Sequence, residues 1–198
     1  AVHLQPDDAD AWLARGMMRF ALGDQPGGMA DLNQAIALNP EYAEAYKVRG
    51  DMLLAVDDAS AAATDYSEAL AINPDYDAAY QGRADAALDT GDVNTAERDY
   101  SLAIELNPEN AAAWQSRGQA RLNMGDYQGA IDDFTQAIQL EPQNADAYYY
   151  RAQARSTVGD GAGALEDFQT AGNLFLQRNR TDEYRSVVQA MNQIRYGN

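Results

Sequence analysis

Residues 111–142 show the polar and apolar pattern of two short amphipathic helices joined by a tight turn. Gly125 is typical of a helix end because glycine accepts a positive φ angle, and Asp126 favours the start of the next helix as its N-cap. Pro142 ends the second helix, because the residue before a proline is disfavoured in the α conformation. The stripes with helical spacing are Trp114, Gly118 and Arg121, followed by Ala130, Ile131, Phe134, Ala137, Ile138 and Leu140. The stretch therefore predicts one helical hairpin.

This hairpin pattern recurs every 34 residues along the chain. A proline closes the units, at Pro6, Pro40, Pro74, Pro108 and Pro142. An aromatic residue opens them, at Trp12, Tyr46, Tyr80, Trp114 and Tyr148. The second helices keep an alanine and a large apolar residue with the same step, at Ala35, Ala69, Ala103, Ala137 and Ala171 and at Leu32, Tyr66, Tyr100, Phe134 and Phe168. The recurrence predicts a stack of like hairpins, in which each repeat packs on its neighbours.

A 34-residue helix–turn–helix period with an aromatic, a small residue, an alanine, a second aromatic and a proline in that order resembles the tetratricopeptide repeat (TPR) family. The resemblance extends from residue 1 to about residue 178, and its style is that of a bacterial TPR protein with five repeats. It implies an all-α fold, namely a right-handed TPR α-solenoid of five helix-turn-helix repeats plus a C-terminal capping helix. It also implies that the first helices line a concave groove, which binds a segment of a partner protein.

The period divides the chain into seven segments. They are a remnant of a preceding repeat at 1–8, TPR 1 at 9–42, TPR 2 at 43–76, TPR 3 at 77–110, TPR 4 at 111–144, TPR 5 at 145–178 and a capping helix at 179–198. The first repeat is expected to have helices near 9–22 and 26–39. Repeat five carries Leu176 in place of the closing proline, so its second helix is expected to continue toward Arg178.

The last segment predicts a helix that covers the apolar face of repeat five, because a terminal repeat needs such a cover. Thr181 is expected to cap this helix, and Asp182 and Glu183 in its first turn are favourable for the helix dipole. Its apolar stripe consists of Tyr184, Val187, Val188, Met191 and Ile194. A ligand-binding role for this helix is the less favoured alternative.

Charge is the unusual feature of the composition, with 31 acidic residues against 14 basic ones and a formal net charge of −17. Such a surface repels nucleic-acid phosphates and anionic membranes, which disfavours both as direct partners. No apolar run approaches the length that spans a bilayer, so direct membrane insertion is not expected. The chain has no cysteine, which excludes disulfides but leaves both a cytoplasmic and a periplasmic location open.

Five arginines share one repeat position, and five aspartates share another position 16 residues later. The hairpin turn lies midway between them, so the antiparallel helices bring each arginine level with its aspartate. The predicted pairs are Arg15–Asp31, Arg49–Asp65, Arg83–Asp99, Arg117–Asp133 and Arg151–Asp167. Stacked guanidiniums also suggest an anion site. We favour a structural ladder within or between repeats, because every arginine has its own acid.

A second set of aspartates follows each turn, at Asp24, Asp58, Asp92, Asp126 and Asp160. Helix N-capping explains this set better than calcium, because the ligand spacing of a calcium loop is absent, and no metal site is predicted. Asp57 stands where the other repeats have glycine, so we expect it to adopt a positive φ angle. The aromatic residues at the head of each repeat are expected to pack between helices rather than to stack on bases or sugars.

Nothing in the sequence supports catalysis or a cofactor. The single histidine is His3, there is no cysteine nucleophile, and neither a glycine-rich phosphate loop nor a common hydrolase motif occurs. The leading hypothesis is a non-catalytic protein–protein interaction scaffold. Two alternatives stay open: a self-assembly module that forms homo-oligomers through its N-terminal end, and the regulatory arm of a larger enzyme.

The resemblance places particular positions of each first helix in the groove. These groove candidates are Asp10, Leu13, Met17, Phe20, Glu44, Lys47, Val48, Asp51, Gln81, Asp85, Asp89, Gln115, Gln119, Asp146, Tyr149, Tyr150 and Gln153. Acidic residues dominate the set, and Lys47 is the only lysine in the chain.

Chaperone-binding TPR proteins grip a terminal carboxylate with lysines, asparagines and an arginine in this groove. The matching positions here carry Leu13, Met17, Val48, Ala78 and Gly82, so that clamp is absent. The expected partner is therefore a protein or peptide segment that is basic or neutral and has apolar anchors, with Tyr149 and Tyr150 as candidate hot spots. A merely solvated acidic face is the alternative.

Overall fold

The computed structural model describes residues 7–197, and this range contains eleven α-helices and no β-strand. The helices are α1 Ala9–Ala21, α2 Gln25–Leu38, α3 Ala43–Leu54, α4 Ala59–Ile72, α5 Asp77–Asp89, α6 Val93–Leu106, α7 Ala111–Met124, α8 Tyr127–Leu140, α9 Ala145–Thr157, α10 Gly161–Gln177 and α11 Thr181–Tyr196. The predicted all-α class is confirmed. Of the predicted repeat remnant at 1–8, residues 1–6 with His3 lie outside the described range. None of the eleven helices has the length and apolar character that crossing a membrane requires.

The chain divides into two compact units between Leu106 and Asn107. Unit 1 consists of the hairpins α1–α2, α3–α4 and α5–α6. Its core uses the repeated positions of the second helices, and Leu32, Ala35, Tyr66, Ala69, Tyr100 and Ala103 are at most 1% exposed. Gly28 costs α2 about 1 kcal/mol of helix propensity relative to alanine. It also allows close packing, because a Cβ atom there would lie only 2.9 Å from the backbone oxygen of Gly16 on α1.

The turns inside the five hairpins follow one scheme. Glycines with φ angles between 82° and 89° follow the first helix at Gly23, Gly91, Gly125 and Gly159. Asp57 holds this position in the second hairpin with a φ of 62°, as predicted. The next residue is in each case the capping aspartate, whose side chain accepts a hydrogen bond of 2.9–3.1 Å from the backbone N–H three residues later. N-capping therefore accounts for the whole set.

Unit 2 consists of the hairpins α7–α8 and α9–α10 and of α11, which packs on α10. Its most buried large side chains are Phe134, Phe168, Phe175 and Val187, all at most 2% exposed. Helix α10 continues to Gln177, as its missing proline predicts.

The start of α11 differs from the prediction. Arg180, and not Thr181, occupies the N-cap position, and its side chain makes no capping hydrogen bond. The guanidinium of Arg180 instead donates to Asp146 and Glu183. In the apolar stripe, Val187 is 1% exposed but Val188 is 38% exposed. Successive helical residues point about 100° apart, so only one of the two valines faces α10.

Candidate protein-binding surfaces

The structure contains all five arginine–aspartate pairs, each within one hairpin. In every pair two guanidinium nitrogens donate to the two carboxylate oxygens, at distances of 2.6–3.1 Å. The five aspartates are at most 5% exposed. Hydrogen bonds from Arg15 lower the pKa of Asp31 from its ordinary value, although burial acts in the opposite direction. The charges compensate each other locally, which favours a structural role for the ladder over an anion site.

Additional arginines reinforce this ladder in three hairpins. Arg19, Arg121 and Arg155 donate to the ladder aspartates of their own hairpins at 3.2, 3.0 and 2.9 Å. The sequence reasoning missed these contacts. Their signal is a second arginine, one helical turn after the ladder arginine, in repeats one, four and five only.

Three ladder arginines also connect their hairpin to the preceding one. The contacts run from Arg49 Nη1 to Asn33 Oδ1 at 2.6 Å, from Arg83 Nη1 to Ser67 Oγ at 3.3 Å, and from Arg151 Nη1 to Thr135 Oγ1 at 3.0 Å. Each of these guanidiniums therefore holds together two helices of its own hairpin and a helix of the neighbour.

The aromatic residue at the head of each hairpin lies against the ladder arginine. The guanidinium carbon is 4.4–5.6 Å from the ring centroid for Trp12, Tyr46, Tyr80, Trp114 and Tyr148. Such a cation–π contact is worth about 0.5–1 kcal/mol at an exposed site. These rings are half-buried, so the expected packing between helices is incomplete, and the arginine covers part of each ring.

An open pocket of about 380 Å³ lies in unit 1. We call it the unit-1 pocket; it is lined by Met17, Phe20, Ala21, Glu44, Lys47, Val48, Asp51, Met52 and Tyr76. Six of these are predicted groove candidates, and the structure brings them together. Met17 is 46% exposed, whereas Val48 and Met52 form a buried floor. The pocket thus combines an accessible apolar surface with two carboxylates and one ammonium group.

Two carboxylates of unit 1 are held in place by buried tyrosines. The hydroxyl of Tyr66 donates to Asp51 at 2.9 Å, and the hydroxyl of Tyr100 donates to Asp85. Both tyrosines are at most 1% exposed. Burial raises the pKa of Asp85, with further increases from Asp89 and Asp51 and an opposing contribution from Tyr100. The 34-residue pattern identifies these tyrosines only as large residues of the second helices, so their role as hydrogen-bond donors was not predicted.

The other groove candidates of unit 1 differ in accessibility. Asp10 and Asp89 are exposed, and Gln81 is half-buried. Leu13 is 5% exposed and belongs to the core of the first two hairpins, so it offers no accessible surface. The Nζ atom of Lys47 lies 2.8 Å from Asp51, and this pair reduces the local excess of negative charge.

In unit 2 the two tyrosines proposed as hot spots contribute to the core. The ring of Tyr149 packs edge-on against Phe168 and Phe175, with centroid distances of 5.6 and 6.3 Å. Tyr150 stacks on Phe134 at 5.9 Å. Helix α9 carries three consecutive tyrosines, and spacing alone does not reveal which of them faces inward. Both tyrosines are half-buried and contact core rings, and their role as hot spots stays a prediction.

Polar groove candidates of unit 2 are partly engaged as well. Asp146 accepts two hydrogen bonds, at 2.7 and 3.0 Å, from Arg180, the N-cap residue of α11, and this pairing compensates its charge. Gln115 accepts one from Asn144 at 2.7 Å. Gln153 lines a cavity formed with α11. The buried Oε1 atom of Gln119 has no hydrogen-bond partner among residues 7–197.

The two units carry different chemistry at equivalent positions. Asp51 and Asp85 occupy one repeat position, which holds Gln119 and Gln153 in the next two repeats. Tyr66 and Tyr100 occupy another, which holds Phe134 and Phe168 in the next two repeats. Tyrosine therefore accompanies aspartate in unit 1, and phenylalanine accompanies glutamine in unit 2. Within the described range, no group of three or more histidine or carboxylate side chains has an arrangement that would hold a metal ion.

Comparisons with known proteins agree with this geometry. Two family models, both described as tetratricopeptide repeat, match residues 30–77 and 84–155. A comparison with curated protein sequences finds no match. Among solved structures, MamA from Desulfovibrio magneticus RS-1 is 16% identical with a TM-score of 0.78, and the match covers 85% of this chain and 96% of that one.

Two further solved structures resemble the chain. YrrB, described as a TPR protein with an unusual peptide-binding site, is 19% identical with a TM-score of 0.73, and 86% of this chain and 88% of that one are covered. A thermophilic TPR protein of Thermus thermophilus is 20% identical with a TM-score of 0.70, and 92% of this chain and all of that one are covered. At these identities the likeness establishes the fold.

Proposed function

Because this chain belongs to the tetratricopeptide repeat family, we propose that it is a non-catalytic scaffold that binds a segment of a partner protein on the first helices of its hairpins. The family match supports an interaction role in general. YrrB, which shares the fold, is described as having a peptide-binding site. The proposal for this chain adds a place and a type of partner.

The unit-1 pocket is the observation that carries the proposal. Met17 is 46% exposed and lies beside Phe20, above Val48 and Met52, so the pocket presents accessible apolar surface. Such a surface favours an interaction site over a merely solvated acidic face. Glu44 and Asp51 border this apolar surface. An apolar centre with a polar, solvent-accessible rim is the usual anatomy of a protein-binding surface.

The net charge of −17 defines the type of partner. A basic or neutral segment with apolar side chains is attracted or tolerated, whereas an acidic segment is repelled. Screening by salt weakens such attraction between exposed charges. Binding of the partner is therefore expected to weaken as ionic strength rises.

Site-specific crosslinking tests this function. A photoreactive benzophenone amino acid replaces Met17 in one variant and Glu68, which is exposed on α4, in the control. The proposal expects a crosslink to a defined segment of a partner at position 17 and none to that segment at position 68. Equal crosslinking at the two positions, or none at position 17, would contradict binding at the unit-1 pocket.

Self-assembly is the second candidate, and Met18 favours it. This residue is 64% exposed, whereas Met52, Ala86, Ala120 and Ala154, at the equivalent positions of later repeats, are at most 5% exposed. The α1 surface that carries Met18 therefore resembles a stacking surface without a neighbour among the described residues. Sedimentation velocity over a concentration series tests this candidate. Association that Met18→Glu abolishes would support it, and a monomer at every concentration would exclude it.

A further inference from the structure

The unit-1 pocket has an apolar part and a charged part that lie side by side. Met17 and Phe20 come from α1, and Val48 and Met52 come from α3, so two hairpins share the apolar part. The charged part, with Glu44, Lys47 and Asp51, lies on α3 and borders the same pocket. Two neighbouring side chains of a ligand, one apolar and one charged, match the two parts.

The carboxylate of Asp51 is oriented before any partner arrives. Its Oδ1 atom accepts a hydrogen bond from Tyr66, whose ring is buried and therefore fixed. Its Oδ2 atom accepts one from Lys47 on the same helix. A carboxylate has about four acceptor positions, and the side chain of Asp51 is 45% exposed. Unused acceptor positions of Asp51 therefore face solvent beside the apolar part of the pocket.

Asp85 on α5 lies outside the pocket lining, and its charge interacts with that of Asp51. It is held by Tyr100 in the same way that Asp51 is held by Tyr66. Opposite these acids, the pocket offers only the ammonium group of Lys47, which already pairs with Asp51. Charge complementarity thus points to a cation from the partner, since another anion would face repulsion from Glu44, Asp51 and Asp85.

From this arrangement we infer that the unit-1 pocket is a receptor for a short segment in which a bulky apolar side chain stands next to an arginine or lysine. The inference rests on the proposed scaffold function and specifies its ligand. The apolar side chain enters between Met17, Phe20 and Met52, and the basic group donates hydrogen bonds to Asp51, displacing Lys47. The tyrosines Tyr66 and Tyr100 act as positioning residues for the two carboxylates.

Unit 2 does not share this chemistry. At the positions of Asp51 and Asp85 it carries Gln119 and Gln153, and phenylalanines replace the hydroxyl donors. An amide has no net charge, so it gives a basic side chain no comparable preference. The selection of a basic residue is therefore assigned to unit 1 alone.

A displayed library of random peptides of equal length tests the inference, with the full chain as bait. The wild type is compared with Asp51→Asn/Asp85→Asn, in which each asparagine oxygen still accepts the tyrosine hydrogen bond. Glu68→Gln is the matched control, since it removes a charge from an exposed position on α4. Circular dichroism verifies that all variants are folded before selection. The enriched peptides are then titrated by fluorescence anisotropy.

We expect the wild type and Glu68→Gln to enrich peptides with adjacent apolar and basic residues. The double variant is expected to lose this preference and to bind such peptides about tenfold more weakly, the usual effect of removing a charged hydrogen bond. Lys47→Gln is expected to bind them more tightly, because the internal competitor for Asp51 is gone.

Two results would overturn the inference, and only one of them would also contradict the proposed scaffold function. Peptides enriched without any preference for arginine or lysine, or bound equally by the double variant, would refute the receptor for basic segments but keep a peptide-binding scaffold. Failure of every variant to enrich any peptide would contradict the scaffold function as well.

Discussion

Asp133 is the ladder aspartate whose removal gives the sharpest test of the buried charge network. It is 1% exposed and accepts hydrogen bonds from Arg117 at 2.7 and 3.0 Å and from Arg121 at 3.0 Å. Asp133→Ala would remove this buried carboxylate from both guanidiniums, whose side chains are 12% and 22% exposed, while Arg121 keeps an ion pair of 3.9 Å with the exposed Asp126. Removing one partner of a buried pair costs about 3–5 kcal/mol. Because both arginines retain some contact with water, we expect the lower end, about 3 kcal/mol.

Asp126→Ala is the comparison within the same hairpin. Asp126 caps α8 through one hydrogen bond of 3.0 Å to the N–H of Gly129, and its side chain is 56% exposed. Loss of such a cap costs about 1 kcal/mol. For a chain of this length each kcal/mol lowers the melting temperature by roughly 2–4 °C. The expected losses are therefore about 6–12 °C for Asp133→Ala and about 2–4 °C for Asp126→Ala.

Thermal unfolding followed by circular dichroism, together with urea unfolding, measures both variants. Asp133→Asn serves as a third variant, because it keeps the shape and one acceptor oxygen but removes the charge. It should lie between the wild type and Asp133→Ala. The reasoning is refuted if Asp126→Ala destabilises as much as Asp133→Ala, or if Asp133→Asn matches the wild type.

Three further predictions concern other parts of the chain. Truncation after Gln177 removes α11 and exposes the apolar side chain of Phe175. The shortened protein should therefore self-associate, which light scattering detects. A stable monomer would show that α11 does not cover repeat five. Asp85 has a raised pKa in the folded state, so its contribution to stability falls as pH rises from its unfolded pKa, about 3.9, through the folded value. Urea midpoints should therefore show Asp85→Asn more stable than the wild type at neutral pH, with the difference vanishing below about pH 4; a variant that is less stable at neutral pH would contradict this sign. Asp57→Gly should stabilise unit 1 by about 0.5 kcal/mol in the same assay, because glycine adopts a φ of 62° without a Cβ clash; a loss of stability would show that the Asp57 side chain contributes more than its backbone angle costs.

The helices and their turns were predictable because their signals are local in sequence and occur five times. The ladder pairs also followed from sequence, since an antiparallel hairpin brings residues equidistant from its turn to one level. By contrast, the contact between Asp146 and Arg180 depends on how the chain leaves α10 and enters α11, and no periodic signal describes that junction.

The tyrosine-held carboxylates were missed for another reason. Any large apolar residue at the position of Tyr66 would fill the core. The hydroxyl group of a tyrosine there does not by itself indicate a hydrogen bond to a carboxylate. The informative signal is the joint change of two positions, with Asp51 and Tyr66 in one repeat against Gln119 and Phe134 in another. Helical spacing likewise did not reveal which of the tyrosines at 148–150 faces inward, because three consecutive residues span about 200° of the circumference of a helix.

The contacts between successive hairpins limit which repeats are interchangeable. A ladder arginine reaches back to Asn33, Ser67 or Thr135, all of which are short polar residues at one repeat position on the second helix. A hairpin that is transplanted from another protein, or duplicated within this one, keeps these contacts only under two conditions. It must supply an arginine that donates to the preceding hairpin, and it must supply a polar acceptor for the arginine of the following hairpin. A transplanted hairpin with leucine at the acceptor position would leave one donor of the next guanidinium without a partner. Growth of such a chain by duplication of single repeats therefore preserves these contacts automatically, whereas recombination with unrelated repeats does not.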